Sequence, residues 1–263
     1  ILPIMKYGIP IAATSLSAWI ITQSNKFIMN SIHGFSQVGI VGVAYGLTLP
    51  LLMTIFSIIT VAAIPRIINM YEEKIDVRPL ISRFTGYFIL IALPIITVIS
   101  IYSVDYVQML SSNDKFLDAF KLVPYFAFGT FFMALTDYTT LQYHLANKTY
   151  IDFIIKLTSG IVGVILNIML IPQYGLVGVG VATLSANFLY FLLSIIIVLP
   201  NLRLIYPTLT LSRILISLVF SSGVYYLFAQ TCKLPALFEM ITLLVVFYAI
   251  YFALAKTIMK RPE

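Results

Sequence analysis

Charge is what this chain has least of. Only 10% of its 263 residues are Asp, Glu, Lys or Arg, where soluble domains carry roughly 25%, so it has too little polar surface to face water all round. Cysteine is nearly absent: the single Cys232 excludes an intramolecular disulfide framework and a cysteine-based metal cluster. The two histidines, His33 and His144, lie far apart with no ligand spacing around them, and no metal site is expected. Paired carboxylates, a Ser-His-Asp constellation and a glycine-rich phosphate loop are also missing. Gly178-x-Gly180 sits in an apolar run after no soluble strand and does not read as a dinucleotide fingerprint. The chain is therefore expected to be no enzyme and to need no cofactor.

What is abundant is apolar surface. Sixty per cent of residues are hydrophobic and the mean hydropathy is +1.01. Eight runs reach the length of about 20 apolar residues that crosses a bilayer: Ile9–Ser31, Val38–Ile64, Ser82–Val104, Phe120–Ala146, Tyr150–Ile171, Tyr174–Leu199, Ser212–Thr231 and Ala236–Lys256. Stretches such as LLSIIIVLP do not alternate apolar with polar, which excludes barrel strands. Helices satisfy their backbone donors internally, as lipid demands. The expected fold class is an all-α integral membrane protein with eight transmembrane helices.

The net charge of +6 would suggest nucleic acid in a soluble protein. Here the basic residues sit in short loops, so no nucleic-acid partner is expected. With a cytoplasmic N-terminus, twelve Lys and Arg fall on the inner side, among them Arg66, Lys74, Arg78, Lys148, Lys156 and Arg213. Three fall outside: Lys115, Lys121 and Lys233. The positive-inside rule then puts both termini in the cytoplasm and Cys232 at the outer end of the seventh span. The longest loop, Arg66–Arg83, reads as a short amphipathic surface helix or a plain solvated loop. The chain opens ILPIMKYGIP, without an initiator methionine, and is expected to be part of something longer.

Polar groups inside spans carry the functional signal, because a charge at the helix centre costs about 2.5–3.5 kcal/mol on insertion scales. Lys26 lies in an unusually polar stretch with Gln23, Ser24 and Asn25. Its long stem either snorkels to the outer surface or faces a cavity. Asp137 has too short a side chain to snorkel and is expected to face protein or a wet cavity. A direct Lys26–Asp137 pair is not expected, since their depths differ by roughly 12 Å. In the fifth span Lys156, Ser159, Gly163 and Asn167 form one polar, small-residue stripe, which either packs closely or lines a cavity; Lys156 itself reads as an interface anchor. Gly178, Ala182 and Ala186 repeat every four residues, the spacing of helix packing. Pro10, Pro50, Pro94 and Pro124 lie within or at the ends of spans, as in a static kinked bundle or in transporters built from broken helices.

Two segments carry a family resemblance. KYGIPIAATSLSAWIITQSNKFIMNSIHGFSQVGIVGVAYGLTLPL resembles the start of the C-terminal lobe of polysaccharide flippases, of the multidrug/oligosaccharidyl-lipid/polysaccharide superfamily. NKTYIDFIIKLTSGIVGVILNIMLIPQYGLVGVGVATLSANFLYFLLS is similar to that family's helix pair built on N…IP-x-x-G-x-x-G-x-x-x-A-T. Here that pattern falls on Asn167, Ile171, Pro172, Gly175, Gly178, Ala182 and Thr183. The resemblance implies a six-helix C-terminal lobe over residues 1–200, two additional helices over 201–263, and an N-terminal lobe absent from this chain. It implies a transporter of polyprenyl-diphosphate-linked sugar working by alternating access among membrane lipids. It further implies an anionic-headgroup role for Lys26, and the polar positions inside spans add Asn25, Gln23, Asp137 and Asn167 as expected substrate contacts. Many relatives have Asp-Arg where this chain has Asn25-Lys26, so the cation is kept but the planar fork that binds phosphate bidentately is lost. Efflux of drugs or small cations, with Asp137 dominating the site, and a non-transporting membrane scaffold are the alternative readings.

Overall fold

The computed structural model describes residues 2–111, 114–199, 208–229 and 235–259. All regular structure among them is helical: α1 (Leu2–His33), α2 (Phe35–Glu72), α3 (Arg78–Ile101), α4 (Ser103–Leu110), a 3-10 helix (Asp114–Lys121), α5 (Val123–Leu145), α6 (Thr149–Tyr174), α7 (Leu176–Ile196), α8 (Thr208–Ala229) and α9 (Ala236–Met259). Cys232, Arg203, Lys233, Lys260 and Arg261, which entered the topology argument, lie outside the described residues.

Five helices among the described residues are long and apolar enough to cross a membrane: α2, α3, α6, α7 and α9. A sixth candidate is the 3-10 helix with α5, bent by 55° where they meet. The chain is therefore a multi-pass, all-helical membrane protein. Pro124 sits in the first turn of α5, where its missing N–H would have no helical partner.

Several boundaries differ from the hydropathy reading, two of them with structural consequences. α2 does not stop at Ile64 but continues through Pro65 to Glu72, reducing the expected long loop to a short connection before Arg78. At 38 residues it is about 57 Å long and outreaches the bilayer core of roughly 30 Å. Its continuation is held by packing, since Ala63 and Ile67 are buried against Val77, Ile81 and Leu145. The third predicted span ends early at Ile101, and α4 begins anew at Ser103.

α5 is the hub. It packs against α7, α2 and α3, and its buried residues occupy every side of the helix. α6 and α7 form a hairpin, and α1 lies along α6. His33 meets the carbonyl of Ile171 at 3.2 Å, near the C-terminal ends of both helices. The α8–α9 hairpin rests on α3, where the Tyr102 hydroxyl donates to Glu239 at 3.0 Å.

The α6–α7 hairpin explains the glycine pattern. Gly175 turns the chain with φ +55°, ψ −124°, a region open essentially to glycine. Three residues on, a Cβ at Gly178 would collide with the backbone of Leu170, so α7 crosses α6 at closest approach there. Gly178, Ala182 and Ala186 are all buried, the packing ridge expected from their spacing.

Candidate functional site

Two cavities lie inside the bundle, and Lys156 and Tyr190 line both. The smaller, about 60 Å³, is walled mainly by α6 and α7, with Asn25 of α1, Tyr45 of α2 and Met133 of α5 completing it. Helical periodicity puts Lys156, Ser159, Gly163 and Asn167 on one face of α6, and all four line it. Asn25 reaches it from α1, while Thr183 and Asn187 reach it from α7. The Asn167 amide donates to the Gly163 carbonyl at 2.9 Å. The amide oxygens of Asn25 and Asn167 are buried with no hydrogen-bond partner. The space suits a few bridging waters and nothing as large as a sugar ring.

The larger cavity, about 390 Å³, lies between α2 and the α5–α6 pair. Its α2 wall is mostly apolar, with Phe56, Ala63, Ile64 and Ile67. The opposite wall presents Asp137, Tyr138, His144, Asp152 and Lys156. Asp137 and His144 are seven residues apart, two helical turns, and so share a face of α5; Asp152 and Lys156 are one turn apart on α6. The Tyr190 hydroxyl donates to Asp152 Oδ1 at 2.6 Å. His144 Nε2 stands 3.6 Å from Asp152 Oδ2. The Lys156 ammonium lies 5.3 Å from the centre of the Tyr190 ring, within cation–π range. Asp137 is exposed into the cavity, whereas the Tyr138 side chain is buried with its hydroxyl unpartnered.

The expected site residues are thus divided. Asn25 and Asn167 meet in the small cavity, and Asp137 lines the large one. Lys26 and Gln23 are half-buried on α1 and line neither. Lys156, expected as an interface anchor, lines both cavities. Asp152, His144, Tyr138 and Tyr190 were not singled out as site residues. The signal that could have found them is the pairing of Asp137/His144 and Asp152/Lys156 at helical spacing on consecutive helices. No group of three or more His, Cys, Asp or Glu among the described residues could hold a metal ion.

The helical fold, as distinct from these side chains, has known counterparts. The family model described as "Polysaccharide biosynthesis protein" matches residues 1–120. The chain also superposes on the lipid II flippase MurJ in its inward closed conformation with a TM-score of 0.75, over 94% of this chain and 53% of that one, at 14% identity. The fold is like that of this solved structure over about half its length. An uncharacterized membrane protein of Methanocaldococcus jannaschii is 26% identical over 204 residues, 75% of this chain and 46% of its own length. The chain thus spans about half the length of the relatives it matches. The likeness to the solved structure is one of fold, and the likeness in sequence is to the polysaccharide-biosynthesis family model over residues 1–120.

Proposed function

We propose that this chain forms the C-terminal lobe of a transporter that flips a polyprenyl-diphosphate-linked oligosaccharide or polysaccharide precursor across the cytoplasmic membrane. Residues 1–200 are the six-helix lobe and residues 201–263 two additional helices, eight spans in all, with both termini cytoplasmic. An N-terminal lobe faces it across the substrate path, and rocking of one lobe against the other gives alternating access. No bond is made or broken, so the protein is a transporter and not an enzyme.

The observation that carries this reading is the likeness to a lipid II flippase over 94% of the chain, joined to a polysaccharide-biosynthesis match over residues 1–120. The polar interior supports it. Asp137, Asn25 and Asn167 line internal cavities, where a static scaffold would be served better by apolar packing. Lys26, near the outer end of its span, supplies a point charge for the diphosphate, and the lipid tail stays in the bilayer.

The test is flipping of lipid-linked oligosaccharide by the full-length protein in proteoliposomes, with Lys26→Gln and Asp137→Asn measured beside wild type for membrane expression and transport. Normal expression with lost transport supports their roles in the substrate path. Normal transport by Lys26→Gln would show that Lys26 only snorkels. Parallel loss of expression and transport in Asp137→Asn would make that residue a structural contact.

A further inference from the structure

We propose that Arg213 marks a binding site for the phosphate of a membrane phospholipid, held on the rim of α8 as a structural lipid. The site lies apart from the proposed substrate path, since α8 contributes no residue to either cavity.

Arg213 is the sole charged residue of α8 and stands five residues, about 7.5 Å, from the start of that helix. A cation inside an apolar helix is costly unless it meets a counter-ion, water or polar protein. Helical rotation sets it between two faces of α8. On one side Ile214, Ser217 and Ser221 are buried against the bundle. On the other Ile216, Val219 and Phe220 are exposed, the face an apolar helix turns to lipid. The side chain therefore runs along the seam between protein and bilayer. It is half-buried, and its Nε is shut off from the surroundings with no hydrogen-bond partner.

The helices around it supply no anion. α8 packs on α9 and α3, and neither α3 nor α8 contains an Asp or Glu. α9 has one, Glu239, which already accepts the Tyr102 hydroxyl. Arg213 lies about 24 Å from the end of α8 and Glu239 about 5 Å from the start of α9, so they stand roughly 20 Å apart across the hairpin. No ion pair reaches Arg213 among the described residues. The counter-ion must therefore come from outside the chain, and at a lipid-facing seam the abundant anion is a phospholipid phosphate. The planar guanidinium fork matches phosphate oxygens two at a time. The Tyr102–Glu239 contact sets the end of α3 beside the start of α9, so α3 and α8 begin on the same side of the bundle. Arg66 and Arg83 are exposed on that side and draw anionic headgroups towards it. A lipid seated there lays its acyl chains along Ile216, Val219 and Phe220.

The experiment is native mass spectrometry of the full-length protein in detergent, titrated with phosphatidylglycerol or with diacylglycerol, which carries the same chains and no phosphate. Phosphatidylglycerol should be retained and diacylglycerol should not. Arg213→Gln should weaken retention about tenfold, the scale of one lost charge-assisted contact. Arg213→Lys, which keeps the charge but not the fork, should weaken it about threefold. Lys74→Gln, an exposed cation on a turn, should leave it unchanged. Equal retention of diacylglycerol, or undiminished retention of phosphatidylglycerol by Arg213→Gln, would overturn the site. Should Arg213→Gln fail to fold, Arg213→Lys decides, and retention equal to wild type sinks the proposal. Flipping of lipid-linked oligosaccharide by the same variants identifies the source of the phosphate. Arg213→Lys should flip at the wild-type rate. Lost flipping with phosphatidylglycerol still retained would assign the arginine to the substrate's diphosphate and overturn the structural-lipid site.

Discussion

Asn25 and Lys26 are neighbours in the chain but about 100° apart around α1. That rotation turns Asn25 into the α1–α6 contact, where it is 2% exposed, and leaves Lys26 half-buried outside both cavities. Hydropathy along the chain sees a polar patch at this point and cannot say which member faces inward; only the packing of α1 on α6 decides it. Asp152 shows the opposite failure. Sequence reading passes over it near the start of a span, yet Asp152 is 6% exposed and bonded to Tyr190, 38 residues away. Tyr190→Phe should therefore lower stability by about 1.5–3 kcal/mol, the worth of a hydrogen bond to a charged group. The shift should appear in the thermal midpoint of the purified protein. A midpoint equal to wild type would show that water replaces the phenol. Asp76 behaves differently. The Arg78 side chain bonded to it holds its carboxyl below the usual aspartate range. Its contribution is present above that range and vanishes only as pH falls through the depressed value. Both groups are exposed and screened by solvent, so Asp76→Asn should leave the midpoint at pH 7 unchanged within error.

At the scale of the helix, the spacing of small residues was the most legible feature. Gly178, Ala182 and Ala186 at four-residue intervals imply a packed face, and Lys156, Ser159, Gly163 and Asn167 at three and four imply a face that either packs closely or lines a cavity. The structure gives both on the same hairpin. Gly178→Ala puts a methyl against the Leu170 carbonyl and has backbone on the far side, so α7 must move away from α6. A cost of about 1–3 kcal/mol is expected, read as a lowered thermal midpoint; a stabilised variant would contradict the close approach. The end of α2 was illegible for a physical reason. Pro65 next to Arg66 looks like a helix stop, but a proline removes one hydrogen bond, and burial of Ile67 against Val77 and Ile81 outweighs that loss. The continuation makes the turn before Arg78 a short, addressable marker of sidedness. Lys74→Cys, in a protein whose Cys232 is replaced by serine, should react with an impermeant maleimide in inverted vesicles and not in intact cells. Labelling in intact cells would reverse the orientation drawn from the twelve inner basic residues.

For the molecule as a whole, membrane character follows from composition alone, because no arrangement of 10% charged residues can solvate a bundle of this size. What composition could not supply is the path of a substrate, since a path needs walls from elements distant in sequence. In this chain α5 is the helix that brings those walls together, with α2 on one side and α6 and α7 on the other. The lobe likeness adds a constraint on activity. The chain spans 53% of the flippase it superposes on, so under the proposed two-lobe transporter it would supply one wall of the path. Residues 1–263 expressed alone should insert into membranes and, reconstituted into liposomes, should move no lipid-linked sugar. Supplying the remaining part of the protein as a separate chain should restore flipping if the lobes associate as two bodies. Robust flipping by residues 1–263 alone would mean that the path runs within the single bundle, through the cavity lined by Asp137 and Lys156, and that two rocking lobes are not required.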